Sequence, residues 1–278
     1  MCGLLGEYSF STELTNPKEF GDLLELSVHR GPDSTKTYVD KKFQLGFNRL
    51  ALLDLSAAGE QPKISPSNRY HLVFNGEIYN YKLIQKKYNL KNLKSTSDTE
   101  VLLHLIDKLG VIESLKVLNG MFAIAVIDTK ENITYLARDF AGIKPLFYGK
   151  NKNGLVFASQ FDQIFKHPWF KSDLALRPDM VKEYFAFGYM QAPNTIYKSI
   201  YQVNPGECIT INSKGHSNTY LIKRFKKNPD LSNRKYELNS IKDKLLKAVE
   251  LQSYSDRSLA SFLSGGIDSS LIVSYAKK

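Results

Sequence analysis

Cys2 stands directly behind Met1 and ahead of Gly3. A cysteine is small enough for an initiator methionine in front of it to be trimmed. One residue would then carry a thiol and a free α-amine. An amine of that kind has a pKa of about 8, so near neutral pH part of it is unprotonated and can act as a base. The thiolate is the attacking form, and a base on the same residue helps to make it. The ordinary alternative is a residue that merely follows the initiator.

Four other groups of residues could do chemistry. Asn75-Gly76, inside Phe74-Asn75-Gly76-Glu77-Ile78-Tyr79-Asn80-Tyr81, ends an apolar run. It reads either as a hairpin turn or as an oxyanion hole, with an Asn amide and a Gly N–H aimed at one developing charge. Glycine there would let the backbone come close to a substrate. Arg49, in an apolar stretch, is either a structural ion pair or a bidentate grip for a carboxylate. Asp98, in Ser97-Asp98-Thr99-Glu100, either supports a helix start or holds an ammonium. Arg49 and Asp98 together could clamp both charged ends of an α-amino acid. Ser264-Gly265-Gly266-Ile267-Asp268-Ser269-Ser270 follows the apolar Leu259–Leu263 stretch. Strand, Gly-rich turn and helix start make a phosphate cradle, without the Gly-Lys-Ser/Thr ending of a Walker loop.

The elements that must position these residues mix strands and helices. Residues 43–55, 70–75, 121–128, 132–138, 155–159 and 207–211 read as strands. Asn16-Pro17 caps a helix whose apolar face is Phe20, Leu23, Leu24 and Val28. Ser97-x-x-Glu100 resembles a capping box. Val101, Leu102, Leu105, Ile106 and Leu109 then follow at helical spacing up to Gly110. Pro178–Phe187 is a further helix. Residues 212–237 turn polar and basic and read as a boundary, with one strand at 219–225. An amphipathic helix over 238–252 follows, with Ile241, Leu245, Ala248, Val249 and Gln252 on its face. A strand then runs to Leu263 and a helix starts near Asp268. Those last elements are too few to bury a core alone. His29-Arg30-Gly31-Pro32-Asp33 and Leu136–Tyr148 read as buried, salt-bridged turns, with His29 structural.

The 278 residues hold 42% hydrophobic and 24% charged residues, a globular balance. No apolar run of about 18 residues predicts a membrane span. Two cysteines are too few for a disulfide framework, and the N-terminal residues hold no basic segment followed by an apolar one. The expected location is the cytoplasm. The net charge of +10 is spread over scattered lysines, apart from Lys223, Arg224, Lys226 and Lys227, so nucleic acid is not the expected partner.

Taken together, these motifs resemble the glutamine-hydrolysing asparagine synthetases. The shared runs are MCG, HRGPD at 29–33, NRL at 48–50, FNGEIYNY at 74–81, SDTE at 97–100, NGMFA at 119–123, LARDFAGIKPLFY at 136–148, FAS at 157–159 and SGGIDSS at 264–270. Hexosamine and purine amidotransferases share the Cys start without an SGGxDSS loop behind it. The resemblance implies an α/β protein. An N-terminal-nucleophile (Ntn) hydrolase of α/β/β/α four-layer sandwich type over 2–211 would precede a boundary at 212–237. The beginning of an α/β ATP-pyrophosphatase domain, incomplete here, would cover 238–278. Cys2 would attack the side-chain amide of L-glutamine, with its amine moving the proton. Asn75 and Gly76 would form the oxyanion hole. Arg49, Leu50, Leu53, Glu77 and Asp98 would bind glutamine. Leu263, Ser264, Gly265, Gly266, Asp268, Ser269 and Ser270 would bind ATP.

The complete synthetase would make asparagine from L-aspartate, ATP and glutamine. ATP and Mg²⁺ would be its cofactors, with none needed for the glutaminase half, and a homodimer its assembly. The family is about twice this length, so the aspartate site and most of the ATP site would lie past Lys278. The alternatives are a stand-alone glutaminase, a related amidotransferase acting on another acid, and a non-catalytic relic or regulatory module. The chain departs from the family at Asn48, where Arg is usual in Gly-His-Arg-Arg-Leu, and at Gln160, where Glu is usual. An N-terminal nucleophile requires a free Cys2 amine. The intact mass of the purified protein is therefore expected to lack Met1, and retained Met1 would leave the amine blocked.

Overall fold

The computed structural model describes residues 1–11, 13–172, 174–224 and 238–276. Twelve strands form two antiparallel sheets. The first runs, edge to edge, β10 (Ile200–Gln202), β8 (Phe147–Lys150), β9 (Gly154–Ala158), β1 (Gly3–Ser9), β3 (Phe43–Arg49) and β2 (Ser34–Val39). The second runs β12 (Ser217–Leu221), β11 (Glu207–Asn212), β7 (Ile133–Arg138), β6 (Gly120–Asp128), β5 (Tyr70–Ile78) and β4 (Lys63–Ile64).

Period-two side-chain alternation stacks the layers. Leu4 and Tyr8 of β1, with Phe43, Leu45 and Phe47 of β3, face Val73, Ala125, Ile127 and Leu136 of the second sheet in one core. The intervening Leu5 points the other way, onto Phe20, Leu23 and Leu24 of α1 (Pro17–Glu25) and Ile164 of α5 (Asp162–Phe165). Leu72 and Phe74 likewise turn outward to α2 (Tyr81–Lys87), α3 (Asp98–Leu109) and α4 (Val111–Lys116). The result is the expected α/β/β/α sandwich. Outside it lie α6 (Pro178–Phe187), α7 (Leu238–Gln252) and α8 (Ile267–Ala276).

Local signals account for the element ends. Asn16 Oδ1 accepts the Glu19 N–H at 3.0 Å and starts α1. Val28, expected on that helix's apolar face, instead sits exposed in a 3₁₀ turn, Val28–Arg30. Ser97 Oγ accepts the Glu100 N–H at 3.3 Å, but the reciprocal half of the capping box does not form. The Glu100 carboxylate turns to the Lys63 ammonium at 2.7 Å and the Lys94 N–H at 3.2 Å. Gly110 ends α3 with φ +80°, a left-handed conformation that favours glycine.

Several expectations change. The strand read over 43–55 stops at Arg49, and the chain runs on as a loop. The strand from Tyr70 continues to Ile78, so Asn75-Gly76 is strand interior and not a hairpin. No strand precedes the Gly-rich turn. Leu259–Leu263 is irregular, with Phe262 99% exposed, because no neighbouring strand pairs with it. The boundary strand falls at Ser217–Leu221, hydrogen-bonded to β11, and residues 225–237 of the boundary lie outside the described residues. No residue of α7 is fully buried; Leu245, Ala248 and Val249 of its expected face are half-buried.

The buried carboxylate of Glu7 locks the end of β1 opposite Cys2 to its neighbours. It accepts the Thr15 N–H and hydroxyl at 2.8 Å each, the Gln44 amide at 2.7 Å and His167 Nε2 at 2.6 Å. The Trp169 N–H donates to His167 Nδ1 at 3.2 Å, so the ring proton sits on Nε2 and points at Glu7. Burial alone would raise the Glu7 pKa, but the bonds from His167, Gln44 and Thr15 outweigh it and hold it below its ordinary value. A lowered carboxylate stabilises the fold above its unfolded pKa, and that stabilisation disappears as pH falls through the folded value. Glu7→Gln is expected to cost about 1–3 kcal/mol at neutral pH. It should also flatten the fall in stability below about pH 4, read as thermal midpoint against pH. An unchanged acid limb would mean the network carries no such linkage.

Candidate active site

The same alternation that builds the inner core brings the chemical residues to one end of it. Leu4 faces inward, so Cys2 does too. In β3, Phe43, Leu45 and Phe47 face inward, and Arg49 continues that row. Gly3 pairs with Asn48, so Cys2 and Arg49 are neighbours one step beyond the last pair. In β5, Val73 faces inward and Asn75 follows it, opposite the small Ala123 of β6. The open end of the sandwich is a cavity of about 250 Å³. Cys2, Arg49, Leu50, Leu53, Asn75, Gly76, Glu77 and Asp98 all line it, together with Met1, Gly59, Gln61, Met121 and Lys144.

Cys2 is held from both sheets. Its N–H donates to Asn75 Oδ1 at 3.1 Å, and its carbonyl accepts Arg30 Nε at 3.1 Å. Its sulfur lies 3.3 Å from the Leu50 N–H and 3.7 Å from the Leu50 carbonyl. A thiol can donate to that carbonyl, and a thiolate can accept that N–H. Burial raises the thiol pKa, while the Leu50 N–H, the chain's amine, Lys144 and Arg49 all favour the thiolate.

Asn75 Nδ2 is buried and has no hydrogen-bond partner. Its oxygen is fixed by the Cys2 N–H, so the amide cannot flip to relieve it. A buried donor left unpaired costs about 1–3 kcal/mol, and here it sits in the cavity wall beside the thiol. Gly76 is forced by its neighbour strand: an added Cβ would lie 2.1 Å from the Met121 carbonyl. The need for glycine is thus met inside the sheet, where the sequence pointed to a close approach of substrate.

Arg49 does not pair with Asp98. Its guanidinium donates to the carbonyls of Ser56 at 2.9 Å, Leu53 at 3.2 Å and Asp54. That leaves Nε and part of Nη1 unused, while the 53–56 loop is wrapped around the charge. Gly59 makes room, since a Cβ there would meet Arg49 Nη2 at 2.1 Å. Asp54 anchors the same loop, accepting N–H bonds from Ser56 at 3.2 Å and Thr96 at 3.0 Å and the hydroxyls of Ser56 and Ser95. Burial would raise its pKa, yet these bonds carry it down to about 2. Gln61 seals the floor, donating to the Phe74 carbonyl at 3.0 Å and accepting its N–H at 2.7 Å.

Asp98 is buried at the first turn of α3, where its Oδ2 accepts the Ile78 N–H at 2.8 Å. Burial pushes its pKa up to about 7, and the nearby Glu77 adds to the rise. Glu77 is raised as well, by burial. The site therefore offers a nucleophile, an unpaired amide donor, an arginine with spare donors and two carboxylates ready for a cation.

Among the described residues the two unusual turns hold no salt bridge within themselves, though Asp33 lies 4.0 Å from the Arg257 guanidinium. His29 is exposed and lines no part of the cavity. Arg30 holds Cys2, and Asp33 accepts the Ala51 N–H at 2.7 Å. Asn48, a departure from the family, is used structurally, donating to the Leu24 carbonyl at 2.7 Å and accepting the Thr35 hydroxyl at 2.7 Å. Gln160, the other departure, donates to the Leu26 carbonyl at 3.3 Å.

Leu263 and the Ser264–Ser270 turn lie apart from this cavity, in exposed chain. Gly265 has φ +82°, and α8 begins at Ile267. Ser264 and Ser269 meet hydroxyl to hydroxyl at 3.0 Å, and Gly266 accepts the Ser270 N–H at 3.1 Å. An added Cβ at Gly265 meets nothing within 4 Å, so the turn stands in open space. Among the described residues, no group of three or more His, Cys, Asp or Glu is arranged to hold a metal ion. No described helix is long and apolar enough to cross a membrane.

Sequence reasoning missed Gln61, Gly59, Asp54 and Lys144. The first three act through backbone contacts that leave no pattern in the sequence. Lys144 stands inside a motif that was noticed without a role.

A family model described as the glutamine amidotransferase domain matches residues 1–224, and one described as asparagine synthase matches residues 240–278. The glutamine-hydrolysing asparagine synthetase 1 of Bacillus subtilis is 32% identical over all of this chain and 44% of its own length. The putative glutamine-hydrolysing asparagine synthetase 2 of Methanocaldococcus jannaschii is 30% identical over all of this chain and 57% of its own. For asparagine synthetase B of Escherichia coli the figures are 28%, all and 45%. The chain spans about half the length of the curated relatives it matches. Among solved structures, the glutamine phosphoribosylpyrophosphate amidotransferase of B. subtilis aligns with a TM-score of 0.57 at 19% identity, over 99% of this chain and 64% of that one. On its matched residues and its four-layer Ntn architecture, the chain belongs to the glutamine amidotransferase family.

Proposed function

We propose that this chain carries the glutamine-hydrolysing, ammonia-releasing half of a glutamine-dependent asparagine synthetase. The observation that carries the reading is the buried, unpaired Asn75 Nδ2 beside a cysteine held at 3.1 Å by the same side chain's oxygen. With Met1 trimmed, the Cys2 amine takes the thiol proton as sulfur attacks the side-chain amide carbon of glutamine. The oxyanion of the tetrahedral intermediate draws on Asn75 Nδ2 and the Gly76 N–H. The amine returns the proton to the departing nitrogen, ammonia leaves, and water cleaves the thioester to glutamate. Arg49, with its spare donors, takes the substrate carboxylate, and Asp98 and Glu77 take its ammonium. Leu50 and Leu53 flank the carbon chain.

In the complete enzyme the ammonia would reach aspartate activated by ATP with Mg²⁺, giving asparagine, AMP and pyrophosphate. Leu263, Ser264, Gly265, Gly266, Asp268, Ser269 and Ser270 would hold ATP phosphates there. The division proposed is a glutaminase unit over 2–211 with the strand β12 paired to it, and a synthetase unit from 238.

Two measurements test the glutaminase reading. Cys2→Ala is expected to abolish glutamate release with an unchanged circular dichroism spectrum; residual release above the uncatalysed rate would defeat the assignment. Asp98 must be ionised to take an ammonium, and it titrates near 7 in the empty cavity. Glutamine affinity should therefore fall as pH drops below about 7, approaching tenfold per pH unit. Asp98→Asn should bind weakly at every pH and lose this dependence. Wild-type affinity that stays flat from pH 6 to about 8.5 would remove Asp98 from the ammonium site.

A further inference from the structure

Arg49 and Asp98 would meet a carboxylate and an ammonium that share one carbon of the substrate, so small drift in their spacing is costly. They come from different layers. Arg49 ends β3 of the first sheet, and Asp98 opens α3, which packs outside the second. No hydrogen bond or ion pair joins the two among the described residues; Arg49 bonds loop carbonyls and Asp98 the Ile78 N–H. The strands alone do not set their register.

Asp54 reaches both sides. Its carbonyl accepts Arg49 Nη2, and its N–H donates to Asp256 Oδ2 at 2.7 Å. Its φ is +50°, a left-handed conformation that Asp tolerates better than most side chains. The carboxylate divides its two oxygens. Oδ1 accepts the Ser56 N–H at 3.2 Å and the Ser56 hydroxyl, within the loop. Oδ2 accepts the Thr96 N–H at 3.0 Å and the Ser95 hydroxyl, across to the chain that leads into α3. Burial would raise the Asp54 pKa, yet the bonds from Ser56, Ser95 and Thr96 carry it down to about 2, so near neutral pH both oxygens act as acceptors.

From Ser95 the bonds run on to Asp98. Ser95 Oγ lies 2.9 Å from Ser97 Oγ and accepts the Ser97 N–H at 3.1 Å. Ser95 has a single hydroxyl proton, and a carboxylate is the stronger acceptor. That proton therefore goes to Asp54, and the Ser97 hydroxyl donates to Ser95. Ser97 caps α3, accepting the Glu100 N–H at 3.3 Å, and Asp98 is the next residue. Ser95 and Ser97 are both buried, which keeps water from competing for these bonds.

We propose that Asp54 is a positioning residue of the glutamine site, holding the Arg49 carboxylate grip in register with the Asp98 ammonium grip through the Ser95 and Ser97 hydroxyls. This rests on the glutaminase reading. Asp54→Gly removes the carboxylate while keeping the left-handed backbone with its N–H and carbonyl. Ser95→Ala cuts the same link from the other side. Each should raise the KM of glutamate release for glutamine roughly tenfold and leave kcat within about twofold. Because one path carries both effects, the double variant should also stand at roughly tenfold, not the roughly hundredfold of independent changes. Wild-type KM in the single variants, a fall in kcat without a rise in KM, or an additive double variant would each overturn the proposal. Should Asp54→Gly fail to fold, Ser95→Ala decides alone by the same KM. Amide hydrogen exchange needs no glutamine: in Asp54→Gly the Thr96 amide should exchange at least about tenfold faster, with β3 and β5 unchanged. Unchanged Thr96 exchange would overturn the proposal too. If Cys2→Ala abolishes glutamate release while both single variants keep the wild-type KM, the glutaminase reading stands and this one falls. Release that persists in Cys2→Ala would sink the glutaminase reading, and this proposal with it.

Discussion

The 3.1 Å hydrogen bond from the Cys2 N–H to Asn75 Oδ1 joins the two sheets at the open end of the sandwich. It spans the inner core, from the first residue ahead of β1 to the interior of β5. By occupying the amide oxygen it fixes which way Asn75 faces and leaves Nδ2 buried without a partner among the described residues. The sandwich keeps its sheets in this relation because Leu4, Phe43, Phe47, Val73 and Ile127 fill the space behind the bond. Side-chain atoms a few ångströms from solvent are thereby placed with the precision of a packed core.

The second constraint is the loop after β3. A loop is normally the least determined part of a fold, yet this one is tied at three levels. Arg49 gathers its carbonyls from inside. Asp54 fastens it sideways to Ser95 and Thr96, next to the start of α3. Chain beyond α7 covers it from outside: Asp256 accepts the Asp54 N–H at 2.7 Å and donates its own to the Leu52 carbonyl at 2.9 Å, while Arg257 reaches the Ala51 carbonyl at 3.3 Å. Tyr254 packs on Tyr81 with the Lys82 ammonium 3.5 Å from its ring centre. A residue proposed to grip a substrate carboxylate must not drift, and Arg49's own carbonyl partners include Leu53, another wall of the cavity. Disturbing residues 254–257 therefore bears directly on the wall of the Cys2 cavity, although they are remote from it in the chain.

Much of this was legible in the sequence where periodicity or a cap carries the signal. The inward rows of β3 and β5, the Asn16 cap of α1 and the stop at Gly110 follow from local rules. Other features depend on what lies across space. The strand from Tyr70 was read as ending at Asn75 because Asn-Gly commonly turns; the carbonyl of Met121 is what demands glycine at Gly76 within an unbroken strand. Leu259–Leu263 has strand composition, but a strand exists only when a partner accepts its N–H groups, and none does so among the described residues. The Leu136–Tyr148 segment, with Arg138 beside Asp139, reads as a salt-bridged turn. Adjacent residues on a strand point to opposite faces, so each instead finds backbone on its own side. The eight residues expected at the glutaminase site converge on one cavity, whereas the turn at Ser264–Ser270 stands alone.

The charges around that cavity support the proposed zwitterionic substrate. Arg30, Arg49, Lys144, Glu77 and Asp98 surround Cys2, three cations and two carboxylates, and none is ion-paired with another among the described residues. Left to stability alone, opposite charges buried this close would pair or be replaced by apolar residues. Among the described residues Arg30 Nε and Arg49 bond carbonyls, Asp98 accepts the Ile78 N–H and the Lys144 backbone is fixed by its turn, while Arg30 Nη2 has no partner. The empty site is accordingly unsatisfied, with carboxylate pKa values raised and the lysine's lowered by burial. On the proposed reading, glutamine brings its carboxylate and ammonium, both on the α-carbon, to these charges, and its side-chain amide at the other end meets the unpaired Asn75 donor. Binding then relieves a strain the fold already carries, and that relief depends on how substrate charges are spaced more than on how much surface is covered.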